Sequence, residues 1–134
     1  FEGADGGVMC AAVADYTPAA VADRKIKKSD DDLSIPLKRT RDIATELGRR
    51  KGGRLLVGFA LETDHEGEHA AAKLEKKNLD FIVLNSLRDA GAGFGVDTNR
   101  VTLIDRSGAE RLPLMPKSEV AARIVDRMES LLLK

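Results

Sequence analysis

Apolar residues gather in three short, continuous runs, Gly7–Val13, Arg54–Ala60 and Asp80–Asn85, each bounded by polar or glycine-containing turns. Unbroken apolarity over so few residues predicts strands covered on both faces. Between the second and third runs, Ala70, Ala71 and Leu74 mark one stripe of a helix over Glu66–Lys77, with Thr63 or Asp64 as its cap and Asn78 at its end. An earlier helix passes through Ile43, Ala44 and Leu47 to Gly48 or the Gly52-Gly53 pair, with Thr40 capping it and Asp42 in its first turn. Beyond a glycine-punctuated loop, Ser86–Thr98, the period changes to two. Val101 and Leu103 alternate with Arg100 and Thr102, so Arg100–Asp105 and Glu110–Leu114 form a hairpin across Ser107-Gly108, and Ser118 opens an amphipathic terminal helix. Lys25-Ile26-Lys27-Lys28 and Leu33–Leu37 flank the acidic turn Ser29–Asp32 as an antiparallel arm, with Pro36 at an edge.

Strands alternating with helices, closed by a hairpin, predict a single three-layer α/β/α domain over residues 1–134. Its sheet is mixed and mostly parallel, Rossmann-like, with an antiparallel C-terminal hairpin and a protruding arm. A chain of this length can bury a core without disulfides or a structural metal. Its 22 basic and 22 acidic residues balance, so no long-range field draws it to nucleic acid or an anionic membrane. Cys10 is the only cysteine and sits in an apolar run, which fits a small buried core residue and a reducing, cytoplasmic compartment. No apolar stretch approaches the roughly 20 residues that span a bilayer. Phe1 leads almost at once into the first strand, as a fragment of a longer protein would.

Open α/β sheets bind ligands beyond the carboxyl ends of their strands. Asp15 follows the first run, where a carboxylate holds a hydrated divalent cation beside a polyphosphate or simply caps a turn. Lys25, Lys27 and Lys28 either neutralise an anionic substrate or solvate an edge strand. Phe59 serves as an apolar floor for a base or as core. Lys73 and Lys77, four apart on one helix face, can both reach one di- or triphosphate or can both face water. His65-Glu66-Gly67-Glu68-His69 reproduces the H-E-x-x-H string of zinc peptidases. A zinc hydrolase built on His65, Glu66 and His69 is thus the remote alternative, weakened by Gly67 and by the lack of a further histidine. No phosphate-loop, dinucleotide or nucleophile-elbow signature is present.

Several strings occur in the order and spacing of one enzyme family. They are Ala11-Ala12-Val13-Ala14-Asp15-Tyr16, Lys25-Ile26-Lys27-Lys28, Thr40-Arg41-Asp42-Ile43 and Gly58-Phe59-Ala60-Leu61-Glu62-Thr63, then Lys73–Asp80, Ile82–Asn85, Gly93–Asn99 and Lys117–Ala121. Together they resemble the bacterial phosphopantothenate–cysteine ligases over nearly the whole chain. The resemblance implies CTP-dependent joining of L-cysteine to 4′-phosphopantothenate through an acyl-cytidylate, in coenzyme A biosynthesis.

It also implies a CTP site formed by Met9, Cys10, Ala11, Asp15, Lys25, Arg41, Asp42, Ile43, Ala44, Phe59, Lys73 and Lys77. Asp15 would approach Mg2+, and Lys25 would act from a mobile flap. Arg41 stands where family members often carry proline. The resemblance further implies a homodimer formed through the Lys25–Leu37 arm, with FMN entering only where a decarboxylase domain is fused. The family's upstream half, with its glycine- and serine-containing phosphate region and an asparagine important to the acyl-cytidylate, has no counterpart here. The chain alone is therefore expected to be a nucleotide-binding or dimerisation fragment without turnover.

Overall fold

The computed structural model describes residues 1–27, 32–62, 66–86, 91–92 and 95–133. In chain order the elements are β1 (Gly6–Met9), β2 (Tyr16–Pro18), β3 (Leu37–Arg39), α1 (Ile43–Arg50), β4 (Leu55–Glu62), α2 (Glu66–Lys76), β5 (Phe81–Ser86), β6 (Thr98–Asn99), β7 (Val101–Asp105), β8 (Gly108–Arg111), β9 (Met115–Pro116) and α3 (Lys117–Leu132). They form two compact units, one of Phe1–Cys10 with Ala44–Lys134, the other of Ala11–Ile43.

The first unit is built on a five-stranded sheet in the order β1-β4-β5-β7-β8. β1, β4 and β5 run parallel, whereas β7 pairs antiparallel with both β5 and β8. The sheet is therefore mixed in equal parts rather than mostly parallel, because the hairpin joins the same sheet directly beside β5. Helices cover both faces. Ala70 and Leu74 of α2 and Leu47 of α1 pack with Leu56, Ala60, Ile82 and Leu84, while Val120 and Ile124 of α3 pack with Val57, Phe81, Val83, Val101 and Leu103. The alternation along β4 and β5 sends successive side chains to opposite layers, so an uninterrupted apolar run is what two covered faces require.

β1 departs from the expected Gly7–Val13 strand. It ends at Met9, pairs only with β4 and leaves Val8 exposed. An edge strand does not need two apolar faces, and Cys10, expected in the core, is exposed just past its end. A Cβ on Gly6 would meet the Leu55 carbonyl oxygen at 2.8 Å, so glycine permits the close pairing there.

The two central parallel strands are tied at their amino ends. Asp80 Oδ2 accepts from the Leu56 N–H at 2.6 Å, the Asp80 N–H donates to the Leu56 carbonyl at 2.8 Å, and Asp80 Oδ1 accepts from Lys51 Nζ at 2.8 Å. Lys51 is only 7% exposed, so its charge is buried and matched by a single carboxylate. Nearby, α1 lies directly on the turn after α2. A Cβ on Gly48 would fall 1.9 Å from the Lys77 carbonyl oxygen, and Asn78 Nδ2 donates to the Gly48 carbonyl at 2.9 Å. Asn78 ends α2 in the left-handed region, φ 50°, a conformation asparagine tolerates. Gly48 is thus a packing residue inside α1, and the helix ends before Gly52, φ 57°.

The expected hairpin forms, but it turns at Arg106-Ser107 and its second strand is Gly108–Arg111 instead of Glu110–Leu114, because Gly108 already pairs with Asp105. Asp105 Oδ1 accepts from the Ser107 N–H (2.7 Å) and hydroxyl (2.5 Å), and the Arg127 guanidinium of α3 holds Oδ2. Burial raises the Asp105 pKa, but the Ser107 hydroxyl, the Arg127 hydrogen bond, the Ser107 amide and the Arg127 charge outweigh it, lowering the value from 3.8 to about 2.

In the second unit, β2 and β3 form an antiparallel pair with Tyr16 opposite Arg39 and Pro18 opposite Leu37. The expected arm between Lys25 and Leu37 is corrected by this pairing. Lys25–Lys27 are in no strand, and the Pro36 carbonyl accepts from the Ala19 N–H at 2.8 Å, extending the β2–β3 ladder on the side where proline needs no donor. Thr40 does not open α1, which starts at Ile43, and its hydroxyl donates to the Ala14 carbonyl at 2.6 Å. The Thr63 and Asp64 caps, and Lys28 with most of the acidic turn, lie outside the described residues. No helix among the described residues is long and apolar enough to cross a membrane.

Two substitutions test this frame. Asp80→Ala strands a buried ammonium and should cost about 3–5 kcal/mol in urea unfolding, whereas Lys51→Met should cost clearly less, because Asp80 keeps its bonds to Leu56. Asp105, with its pKa lowered on folding, stabilises the fold above the unfolded-state pKa, and that contribution is lost as pH falls toward about 2. The stability difference between the parent chain and Asp105→Asn, about 1–2 kcal/mol after allowing for solvent screening, should be constant above about pH 5 and vanish near pH 2 in acid titrations followed by circular dichroism.

Candidate functional site

In the first unit, β1 ends where β4 continues. Met9 lies opposite Gly58, the last pairing of that edge, so β4 runs on past its neighbour with Phe59 next in line. A Cβ on Gly58 would meet Leu79 Cδ1 at 2.6 Å, so glycine at this point lets Leu79 fill the space over the strand. Phe59 shares the α3-side face with Val57 by strand alternation. Val57 is fully buried there, yet Phe59 is 40% exposed. An aromatic ring accessible in mid-sheet, beside the carboxyl end of an edge strand, is placed to stack on a planar ligand.

Leu61 and Asn85, cross-strand partners on that same face, adjoin it. Asn85 Oδ1 is buried with no hydrogen-bond partner among the described residues. Sequence reasoning placed Asn85 in a family string without singling it out, although a polar residue closing the apolar run of the central strand was a signal.

Lys73 and Lys77 are partly buried at the end of α2, and the Lys77 N–H donates to the Lys73 carbonyl at 3.0 Å. Ala70 and Leu74 anchor the helix to the layer opposite α3, so the two lysines project from the other side of the sheet than Phe59. Ala44 sits one turn before Gly48 on α1, on the surface that meets the Lys77 backbone. The first unit therefore brings Ala44, Lys73 and Lys77 into one helix pair and places Met9, Cys10 and Phe59 along adjoining strands.

The remaining candidates belong to the second unit. There the Thr40 N–H donates to the Asp15 carbonyl at 3.0 Å, and the Thr40 hydroxyl bonds Ala14. These bonds set Asp15 beside the start of the Arg41-Asp42-Ile43 segment. All four of those residues are exposed, as are Ala11 and Lys25. The Arg39 guanidinium lies 5.6 Å from the Tyr16 ring centroid, an added cation that the sequence did not single out.

A single solvent-facing carboxylate on a loop suits a magnesium ion, which keeps most of its water and is held by one or two carboxylates plus phosphate oxygens. The zinc alternative finds less. His65 lies outside the described residues, Glu66 opens α2, and His69 is exposed on it. Among the described residues no three His, Cys, Asp or Glu side chains converge to hold a metal.

Three cavities among the described residues of the first unit lie elsewhere. One of about 470 Å³ is lined by Phe1, Glu2, Leu47, Arg50 and Arg54. Its two arginines are already engaged, Arg50 with the Glu2 carboxylate at 2.7 Å and Arg54 over the Phe1 ring at 5.7 Å. That arrangement ties down the start of the chain at the amino ends of the strands.

The mixed five-stranded sheet with helices on both faces defines an open α/β domain. Residues 1–132 match the family described as the DNA/pantothenate metabolism flavoprotein C-terminal domain, and the chain belongs to that family. It is 46% identical over 132 residues to the coenzyme A biosynthesis bifunctional protein CoaBC of Bacillus subtilis (strain 168), covering 98% of this chain and 32% of that protein. It is 51% identical over 133 residues to a protein from an unknown prokaryotic organism named cysteine/cysteine sulfinic acid decarboxylase, covering 98% of this chain and 37% of that one. The crystal structure of the C-terminal domain of a coenzyme A biosynthesis bifunctional protein CoaBC superimposes with a TM-score of 0.76 at 38% identity, over 98% of this chain and 56% of that one. The chain thus spans about a third of the length of the curated relatives it matches.

If the exposure of Phe59 serves a ligand, its removal should be mild for the fold. Phe81→Ala, at a fully buried position, should cost about 3–5 kcal/mol in chemical denaturation, and Phe59→Ala less than half as much.

Proposed function

We propose that this chain is the CTP-binding part of a phosphopantothenate–cysteine ligase, acting in coenzyme A biosynthesis in the cytoplasm. The observation that carries the reading is the family match over residues 1–132, joined to the order of site strings in the sequence. The similarity to the named decarboxylase covers the same stretch as the similarity to CoaBC. It therefore speaks for the shared domain and not for the activity in that name.

In this reading the carboxylate of 4′-phosphopantothenate attacks the α-phosphorus of CTP, forming an acyl-cytidylate and releasing pyrophosphate. The cysteine amine then attacks the acyl carbon and CMP departs. Neither step needs a covalent enzyme intermediate, so the protein contributes position and charge. Phe59 flanks the cytosine with its exposed ring, with Met9, Cys10 and Ala11 bordering the CTP site. Arg41, Asp42, Ile43 and Ala44 contact the nucleotide from the approach to α1. Lys73 and Lys77 neutralise phosphate oxygens, and Lys25 brings a further charge. Asp15 holds Mg2+, which supplies charge neutralisation at the phosphates when bound.

The second unit exposes Val21 (90%), Ile26, Leu33, Ile35 and Leu37. Apolar side chains at this density call for cover, and a second copy of the chain supplies it in a homodimer. FMN belongs to the assembly only where a decarboxylase domain is fused.

Titration calorimetry tests the reading. The chain should bind CTP with Mg2+ in preference to ATP, and Lys73→Ala/Lys77→Ala should weaken CTP binding by at least about tenfold, the equivalent of about 1.4 kcal/mol. Equal affinity for both nucleotides would remove the cytosine contact, and an unaffected double variant would remove the lysines from the site.

A further inference from the structure

We infer that Thr40 is a positioning residue that holds two nucleotide-contacting segments together; this rests on the nucleotide reading above. Its side chain and its backbone both bond back to a segment 26 residues earlier, the hydroxyl to the Ala14 carbonyl at 2.6 Å and the N–H to the Asp15 carbonyl at 3.0 Å. On one side of this junction stands Asp15, the magnesium-side carboxylate. On the other, Arg41, Asp42 and Ile43 follow Thr40 without an intervening residue.

The β2–β3 ladder ends at the pair Tyr16–Arg39. Thr40 therefore lies just beyond the last strand pair, where regular pairing no longer fixes the chain, and its hydroxyl adds a second bond at the point where the two segments would splay. A hydroxyl used as a donor toward Ala14 is what distinguishes threonine here from an apolar residue of the same shape.

Two groups that must engage one ligand together gain from being held at a fixed spacing, because the second contact is then made at high effective concentration. Loosening the junction should spare contacts made by either segment alone and reduce the benefit of making both. The carboxylate acts through magnesium, so the sensitive quantity is the gain in CTP affinity when magnesium is added, not the affinity without it. A residue that merely stabilised the fold would change both alike.

The experiment uses Thr40→Val, which keeps the shape and removes the hydroxyl, and Thr40→Ser, which keeps the hydroxyl. Each is titrated with CTP in Mg2+ and again in EDTA, beside the unsubstituted chain. Thr40→Val should lose about tenfold of the magnesium-dependent gain with less than a twofold change in EDTA, and Thr40→Ser should retain the gain. Because the hydroxyl bond lies at the surface, where water can replace the lost donor, the melting temperature of Thr40→Val should stay close to the parent's; Thr40→Ala serves in its place should that variant fail to fold. An undiminished magnesium gain in Thr40→Val overturns the inference, as does a parallel loss in both conditions or a Thr40→Ser variant that behaves like Thr40→Val. Absence of CTP binding by the unsubstituted chain overturns the nucleotide reading instead, and the inference with it.

Discussion

The carboxylate of Asp80 holds the start of β5 against the start of β4, and the placement of everything at the far end of the sheet follows from that register. Its two oxygens take the Leu56 N–H and the Lys51 ammonium, while its own N–H returns to the Leu56 carbonyl. With that level fixed, Gly58 falls opposite both Met9 and Ile82, and Phe59 falls opposite Val83. A slip of one residue in β4 would exchange the two faces. Phe59 would then face α2, and Ala60 would leave the layer in which it packs with Ala70 and Leu74. The buried Lys51–Asp80 pair, which costs desolvation, is compensated by hydrogen bonds that specify one pairing.

From that frame the candidate site is assembled with few additional devices. Gly58 admits Leu79 over the strand, and Gly48 admits the Lys77 carbonyl against α1. Both are close approaches that a methyl group would block. They place α1 and the end of α2 in contact, so Ala44 and the two lysines belong to one packed pair of helices. On the other face the Phe59 ring is accessible. In the second unit Thr40 does by hydrogen bonding what strand pairing does in the sheet.

Much of the fold was legible in the sequence because apolar runs and stripes are local signals. β4, α2, β5, the β7–β8 hairpin and α3 all fall within or close to the segments that periodicity marks. The misreadings concern features that depend on neighbours. Gly7–Val13 looks like a buried strand, but a continuous apolar run does not tell an edge from a centre, and β1 is an edge that ends at Met9. Cys10 was expected inside for the same reason. Thr40 has the identity of a helix cap, and only the tertiary structure shows its hydroxyl turned toward Ala14. The second unit carries few periodic signals, and its pairing joins Tyr16–Pro18 to Leu37–Arg39 instead of the lysine cluster. Lys51, a lysine between Arg49-Arg50 and Gly52-Gly53-Arg54, gave no sequence sign of burial. The candidate site was named from the order of motifs. Its chemistry could not be derived from composition, because lysines and a lone aspartate are ordinary surface residues until their surroundings are known.

CTP engages Phe59, the Met9–Asp15 and Thr40–Ala44 segments and the Lys73–Lys77 turn in the proposed reading, and not the cavity lined by Phe1, Glu2, Arg50 and Arg54. Nuclear magnetic resonance of the isotopically labelled chain during titration with CTP and Mg2+ tests it most directly. Shifts should centre on the Phe59 ring, the amides from Met9 to Asp15, the Thr40–Ala44 segment and the Lys73–Lys77 turn. Shifts confined to Phe1, Glu2, Arg50 and Arg54, with Phe59 and Asp15 unmoved at saturation, would contradict it.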